Sequence, residues 1–174
     1  MKYLKPLLTF LCFVLFTAAA DAQKSIKKYI QRYDSLALNK SQKHQIPASI
    51  ILGVSIIESA AGQSQICKAL NNFFGIKGKN WSSEKKMGYK SAYKEYATDT
   101  ESFEHFCQVL VKKKFYNKLK GSADYKEWLN QMNQASYASA KQKWIDDITK
   151  TIKKFELWKF DKPEQTNTAV VKKS

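Results

Sequence analysis

Glu58 is the residue whose type and setting most plainly suggest chemistry. It closes an uncharged run, Ala48 to Ile57, in which only two serines are polar. Ser59-Ala-Ala-Gly62 follows and reads as a helix end. An apolar neighbourhood disfavours the ionised form of a carboxyl group and raises its pKa. The negative end of a helix dipole pushes the same way. A carboxylic acid that stays protonated near neutral pH is what a glycosidase needs to protonate its leaving group. The competing role is a buried carboxylate satisfied by capping or by an ion pair. Other reactive residue types offer less. The only histidines, His44 and His105, are far apart, and no cysteine stands at metal-ligand spacing to either. Neither a metal site, a cofactor nor a Cys–His nucleophile pair is expected.

The elements that position Glu58 follow from periodicity. Ile26, Tyr29, Ile30, Tyr33 and Leu36 recur at helical spacing and predict one amphipathic helix over 24–44. Pro47 suits the first turn of the next helix. That helix is apolar all round, which predicts the buried centre of the domain. Gly62 can cap its end. Residues 65–88 have loop composition, and 88–97 reads as a short strand or hairpin. Thr98-Asp-Thr-Glu101 fits a capping box, with Phe103, Phe106, Leu110 and Val111 behind it. Ser122 precedes a short helix with Tyr125, Trp128, Leu129 and Met132. Ser139-Ala-Lys-Gln142 opens a last one with Trp144, Ile145, Ile148, Ile152 and Phe155. The expected fold is mostly α, helices around a buried central one with a small β-hairpin insertion.

Composition bounds the setting. Lys2 and Lys5, the apolar stretch Leu7 to Ala20 and the Ala20-Asp21-Ala22 site read as a cleaved export signal over 1–22. A membrane anchor is the competing reading, but the apolar core is short for a span. Residues 23–160 then form one domain and 161–174 a polar, patternless tail. The formal net charge of +15 favours an anionic partner. Nucleic acid, an anionic membrane surface and cell wall all fit charge alone. Export and the spread of lysines over many short faces count against nucleic acid. A monomer is expected, without stable membrane insertion. Cys67 and Cys107 permit one disulfide or two buried thiols.

Motifs narrow the reading. Glu58-Ser-Ala-Ala-Gly-Gln-Ser64, followed by Asn71-Asn-Phe-Phe-Gly-Ile-Lys-Gly78, resembles the glucosaminidase domain of glycoside hydrolase family 73. Tyr96-Ala-Thr-Asp-Thr-Glu-Ser-Phe103, the pair Tyr137-Ala138, and Asp161 are similar to that family's later segments. The resemblance spans roughly 44–161. It implies an α+β lysozyme-like fold that cuts peptidoglycan on the reducing side of N-acetylglucosamine, with Glu58 as general acid. Three positions depart from the family pattern. Ala61 stands where the family often has Trp, and Gly53-Val54 where it often has Ala-Gln.

The remaining candidates are less certain in role. Glu84 lies where the family places a second acidic residue, although its neighbours look like an exposed turn. Glu95 and Glu101 are weaker, and Glu101 has a sufficient place in the capping box. The substrate's own acetamide can replace a second carboxylate, and Tyr137 is then the group expected to orient it. Asn72, Phe74, Gly75 and Trp81 follow Glu58 closely enough to line a sugar groove, Trp81 as a stacking platform. Phe73 reads as a core anchor. An endo-β-N-acetylglucosaminidase acting on peptidoglycan strands is therefore expected. A muramidase of the same fold and a non-catalytic wall-binding module are the alternatives.

Overall fold

In the computed structural model, which describes residues 4–135 and 141–161, the chain is helical nearly throughout. Tyr137, Ala138 and most of the 161–174 tail lie outside the described residues, as does the expected helix start at Ser139. Helix α1 runs from Leu4 to His44 as one element. Its expected stripe faces inward, with Tyr29 and Tyr33 buried and Ile26, Ile30 and Leu36 partly buried against the core. Lys40, Lys43 and His44, in its last turns, converge on Glu104 at 2.7, 2.8 and 3.0 Å. Burial pushes the Glu104 carboxyl up, but those three donors outweigh it and hold it at about 2. Among the described residues no helix is long and apolar enough to cross a membrane.

Helix α2, Ala48–Ser59, is the buried centre, with ten of its twelve residues out of solvent. Its N-terminus has no cap from the preceding residue. Asp161, at the end of a 3-10 turn spanning Leu157–Asp161, reaches back instead. Its carboxylate accepts from Ser49 N at 2.8 Å and from Ser49 Oγ at 2.6 Å. Burial raises this carboxyl and the Ser49 and Ala48 donors pull it back; ionised, it meets orphan backbone N–H groups, the Ser49 hydroxyl and the positive end of the dipole. Gly53 lets α8, Lys141–Lys154, press close, since a Cβ there would lie 3.0 Å from Ile148 and Ile152. This packing gives a physical reason for glycine at a position where Ala is common in the resembled family.

The other helices are α3 (Gln65–Leu70), α4 (Ser83–Met87), α5 (Asp99–Val111), α6 (Tyr116–Leu119) and α7 (Tyr125–Gln134). The Thr98 cap forms as expected, accepting from Glu101 N at 3.2 Å, while Glu101 accepts from Ala97 N at 3.0 Å. Phe103, Phe106 and Leu110 of α5 are buried, whereas Val111 is exposed. Cys67 and Cys107 are both free and buried, so the disulfide alternative is not realised.

Two expectations are corrected. The stretch 65–88 contains α3, capped by Ser64, and α4, closed by Gly88 in the left-handed region. The expected β-hairpin is absent, since no strand forms among the described residues. Its place is taken by an arm over 76–95 with one antiparallel bridge, Lys77 to Tyr93. Side chains take the backbone groups a ladder would use. Asn80 Nδ2 donates to Ser91 O at 2.7 Å and to Tyr93 O at 3.0 Å. Ser91 Oγ accepts from Tyr93 N at 3.1 Å. Such local side-chain bonds compete directly with strand pairing.

Candidate active site

Glu58 sits in the last turn of α2, where the chain leaves the core. The helix ends sharply. Ala60, Ala61 and Gly62 take positive φ of 51°, 51° and 77° in succession. Ala60, rather than Gly62, is the residue that caps. Two alanines in the left-handed region are strained, at about 1–2 kcal/mol each. Buried packing of Ala61 and a bond from Gly62 N to Ser59 Oγ at 2.8 Å hold the turn. The tight exit leaves the Glu58 side chain partly buried, facing two other segments.

The first is α8. Trp144 Nε1 donates to Glu58 Oε1 at 2.7 Å. The second is the loop after α3. A Cβ on Gly75 would lie 3.2 Å from Glu58 Oε2, and Gly75 has φ +63°. Only glycine takes that backbone without strain while leaving room for the carboxyl oxygen. The Tyr93 ring borders the same spot, 3.9 Å from the Gly75 Cβ position. Burial pushes the Glu58 carboxyl above the ordinary carboxylate range, and the Trp144 N–H, which favours the ionised form, pulls it part of the way back. The arrangement suits a proton donor, with one oxygen held by Trp144 and the other against a glycine.

The expected groove residues divide by burial. Asn72 is 1% exposed and its amide is engaged by the loop itself. It donates to Ile76 O at 2.8 Å and Lys94 O at 2.7 Å, and accepts from Ile76 N at 3.1 Å. It thus ties the Gly75 loop to the arm instead of offering bonds outward. Phe74 is buried too, stacked on Phe106 with centroids 4.1 Å apart. Phe73 packs on Tyr33 and Phe103, as a core anchor does. Trp81 is the opposite case, 70% exposed on the arm. Its exposed ring is free to stack on a ligand. Glu84 lies on the exposed side of α4.

Glu95 is buried and spent on the arm. Its carboxylate accepts from Trp81 N at 2.8 Å, Ser82 N at 2.9 Å, Ser82 Oγ and Lys86 Nζ at 3.0 Å. Burial pushes this carboxyl up, but the four donors prevail and bring it to about 2. Glu95 therefore folds the turn that presents Trp81. Sequence reading missed this clamp, and it missed the bond from Trp144 to Glu58 across 86 positions. The available signal for Trp144 was that a buried indole N–H needs an acceptor.

Residues 21–157 match the glucosaminidase family, described as mannosyl-glycoprotein endo-beta-N-acetylglucosaminidase. The exo-glucosaminidase LytG of Bacillus subtilis is 26% identical over 137 residues, 69% of this chain and 48% of that protein. The chain thus spans about half the length of that curated relative. The catalytic domain of the autolysin Auto from Listeria monocytogenes superposes with a TM-score of 0.62 at 21% identity, covering 84% of this chain and 97% of that one. An N-acetylmuramoyl-L-alanine amidase structure from Staphylococcus aureus gives 0.67 at 20% identity, covering 83% and 45%. These superpositions fix a shared helical fold, and the match over most of the sequence fixes the lineage: the chain belongs to the glucosaminidase family of glycoside hydrolases.

Proposed function

We propose that this protein is an exported endo-β-N-acetylglucosaminidase that cuts peptidoglycan strands at the β-1,4 bond between N-acetylglucosamine and N-acetylmuramic acid. The observation that carries the reading is the setting of Glu58. Burial raises its carboxyl, Trp144 fixes one oxygen, and Gly75 leaves the other open. Such a group delivers its proton to the glycosidic oxygen as the C1–O bond breaks, leaving an oxocarbenium-like sugar.

The second group is assigned to the substrate. A retaining pair of carboxylates stands about 5 Å apart, and each then raises the other by charge. Among the described residues burial alone raises Glu58, with no carboxylate contributing. Glu95 is committed to the arm and Glu84 lies on its exposed side. The acetamide oxygen of the bound N-acetylglucosamine attacks C1 and forms a cyclic oxazolinium. Water then opens it, returning a proton to the Glu58 carboxylate. Tyr137, by its place in the family's Tyr-Ala pair, orients the acetamide. Trp81 stacks a sugar ring, and Gly75 keeps the approach to Glu58 clear.

The test is digestion of purified wall followed by borohydride reduction and mass spectrometry. Reduced N-acetylglucosamine ends support the proposal; reduced muramic acid ends make the enzyme a muramidase. Fragment length separates internal cutting from release of terminal units, the activity that the name of the Bacillus subtilis relative carries. Retained wall binding by Glu58→Gln without lysis supports the enzyme over the binding module. Unchanged lysis removes Glu58 from the mechanism.

A further inference from the structure

The turn Ala60–Gly62 has a second side. Away from Glu58 it walls a cavity of about 310 Å³ between α1, α3 and the loop after α3. The floor is aromatic: Tyr29, Tyr33 and Phe73, each no more than 6% exposed. The rim is cationic, with Lys28 and Arg32 from α1 and Lys68 from α3. No carboxylate lines it, and among the described residues none of the three cations has an ion-pair partner. The acidic group felt nearby is Asp99, which acts on Tyr33 and Cys67. The Arg32 guanidinium lies over the Tyr33 ring, 5.3 Å from its centroid. A second cavity of about 500 Å³ continues past Gln63 and Lys68 toward Lys86, which Glu95 already neutralises. Unpaired positive charge is thus concentrated over the aromatic floor.

Three cations around one rim, without an ion-pair partner among the described residues, favour an anionic ligand. The position says which anion. The wall of the cavity is the turn that begins two residues after Glu58, so a ligand held at the acid needs only a branch to reach it. We propose that this cavity binds the peptide stem of the glycan strand through its free carboxylates, so that the enzyme selects strands bearing acidic stems. The proposal rests on peptidoglycan being the substrate. A stem of about four residues extends roughly 13 Å, enough to pass a helix end about 10–12 Å across. The aromatic floor suits the aliphatic parts of such a stem, and the guanidinium fork suits a carboxylate. A bare phosphate polymer has no use for the floor. The small side chain of Ala61, 7% exposed at the cavity wall, leaves the volume open.

The test needs no cleavage. Wild-type protein is titrated, with NMR detection, against a sugar-free synthetic stem peptide carrying its free carboxylates, and against the same peptide fully amidated. The expected result is shifts at Lys28, Arg32, Lys68 and Tyr33, with the amidated stem binding about fivefold or more weakly. Arg32→Gln with Lys68→Gln loses the preference. Ala61→Trp, which fills the cavity without changing charge, blocks both peptides. On wall sacculi the double variant raises KM and leaves kcat unchanged. Equal binding of acidic and amidated stems, or shifts mapping elsewhere, overturns the proposal. So does a response to inorganic phosphate with none to the acidic stem, which assigns the cavity to a phosphate-bearing polymer. Stem binding by a protein that cleaves no glycan would leave this site standing while the hydrolase reading fails. Cleavage without stem binding would do the reverse.

Discussion

At the end of α2 a glutamate is partly buried with, among the described residues, one hydrogen-bond donor, Trp144 Nε1. In the arm another glutamate is 3% exposed with four donors from Trp81, Ser82 and Lys86. Burial pushes both carboxyls up, yet Glu58 ends above the ordinary range and Glu95 at about 2. The difference lies in the supply of donors. One donor leaves desolvation the larger effect and the carboxyl raised. Four donors, one of them a lysine, override desolvation and fix the charge. Burial alone therefore identifies neither a proton donor nor a clamp; between Glu58 and Glu95 the donors make the difference.

Four substitutions test that contrast. Glu58→Gln keeps the shape and removes the proton; hydrolysis of wall should fall by about 10²–10⁴ with little change in melting temperature. A fall in stability of the same order as that of a core deletion would make Glu58 structural instead. Gly75→Ala puts a methyl 3.2 Å from Glu58 Oε2 and strains a φ of +63°. Displacing the acid in this way should cost about 10- to 100-fold in kcat, and wild-type kcat in this variant would break the assignment.

Glu95→Gln should act on the fold first, destabilising it by about 1–3 kcal/mol as the buried donors lose their charged acceptor. Denaturant unfolding reads this, and KM should rise more than kcat falls as Trp81 loses its support. The linkage runs in opposite directions for the two residues. The depressed carboxyl of Glu95 contributes stability above the ordinary carboxylate range that is lost as pH falls toward about 2. Glu104 does the same. The raised carboxyl of Glu58 favours the folded state at low pH and loses that contribution as pH rises through its folded pKa. Trp144→Phe should have the smallest effect. It removes the one donor that lowers Glu58 among the described residues, so the basic limb of the pH–rate profile should move up by roughly half to one unit. Movement downward would show that the indole does not act through the carboxyl.

Much of the α2 end was legible in the sequence because its signals are local. An uncharged run, a charged residue closing it and a turn behind it are visible without tertiary contacts. The α1 stripe and the Thr98 cap were legible for the same reason. What escaped depends on distant pairs. Asp161 caps a helix 112 positions away, and Trp144 bonds Glu58 across 86. The expected hairpin failed because Asn80, Ser91 and Glu95 side chains took the backbone groups that alternation would have paired. Among the groove candidates, residue type misled for Asn72 and Phe74, which the loop folds inward. Trp81, read from its polar neighbours, did emerge exposed.

The central claim, that Glu58 holds its proton into the working pH range, is open to direct measurement. Side-chain carboxyl ¹³C shifts followed through a pH titration, with Glu58→Gln to assign the resonance, report its pKa in the free enzyme. The expected result is a midpoint above the ordinary glutamate range that coincides with the basic limb of kcat/KM. A Glu58 midpoint at or below the ordinary range, with lysis unaffected, would contradict it.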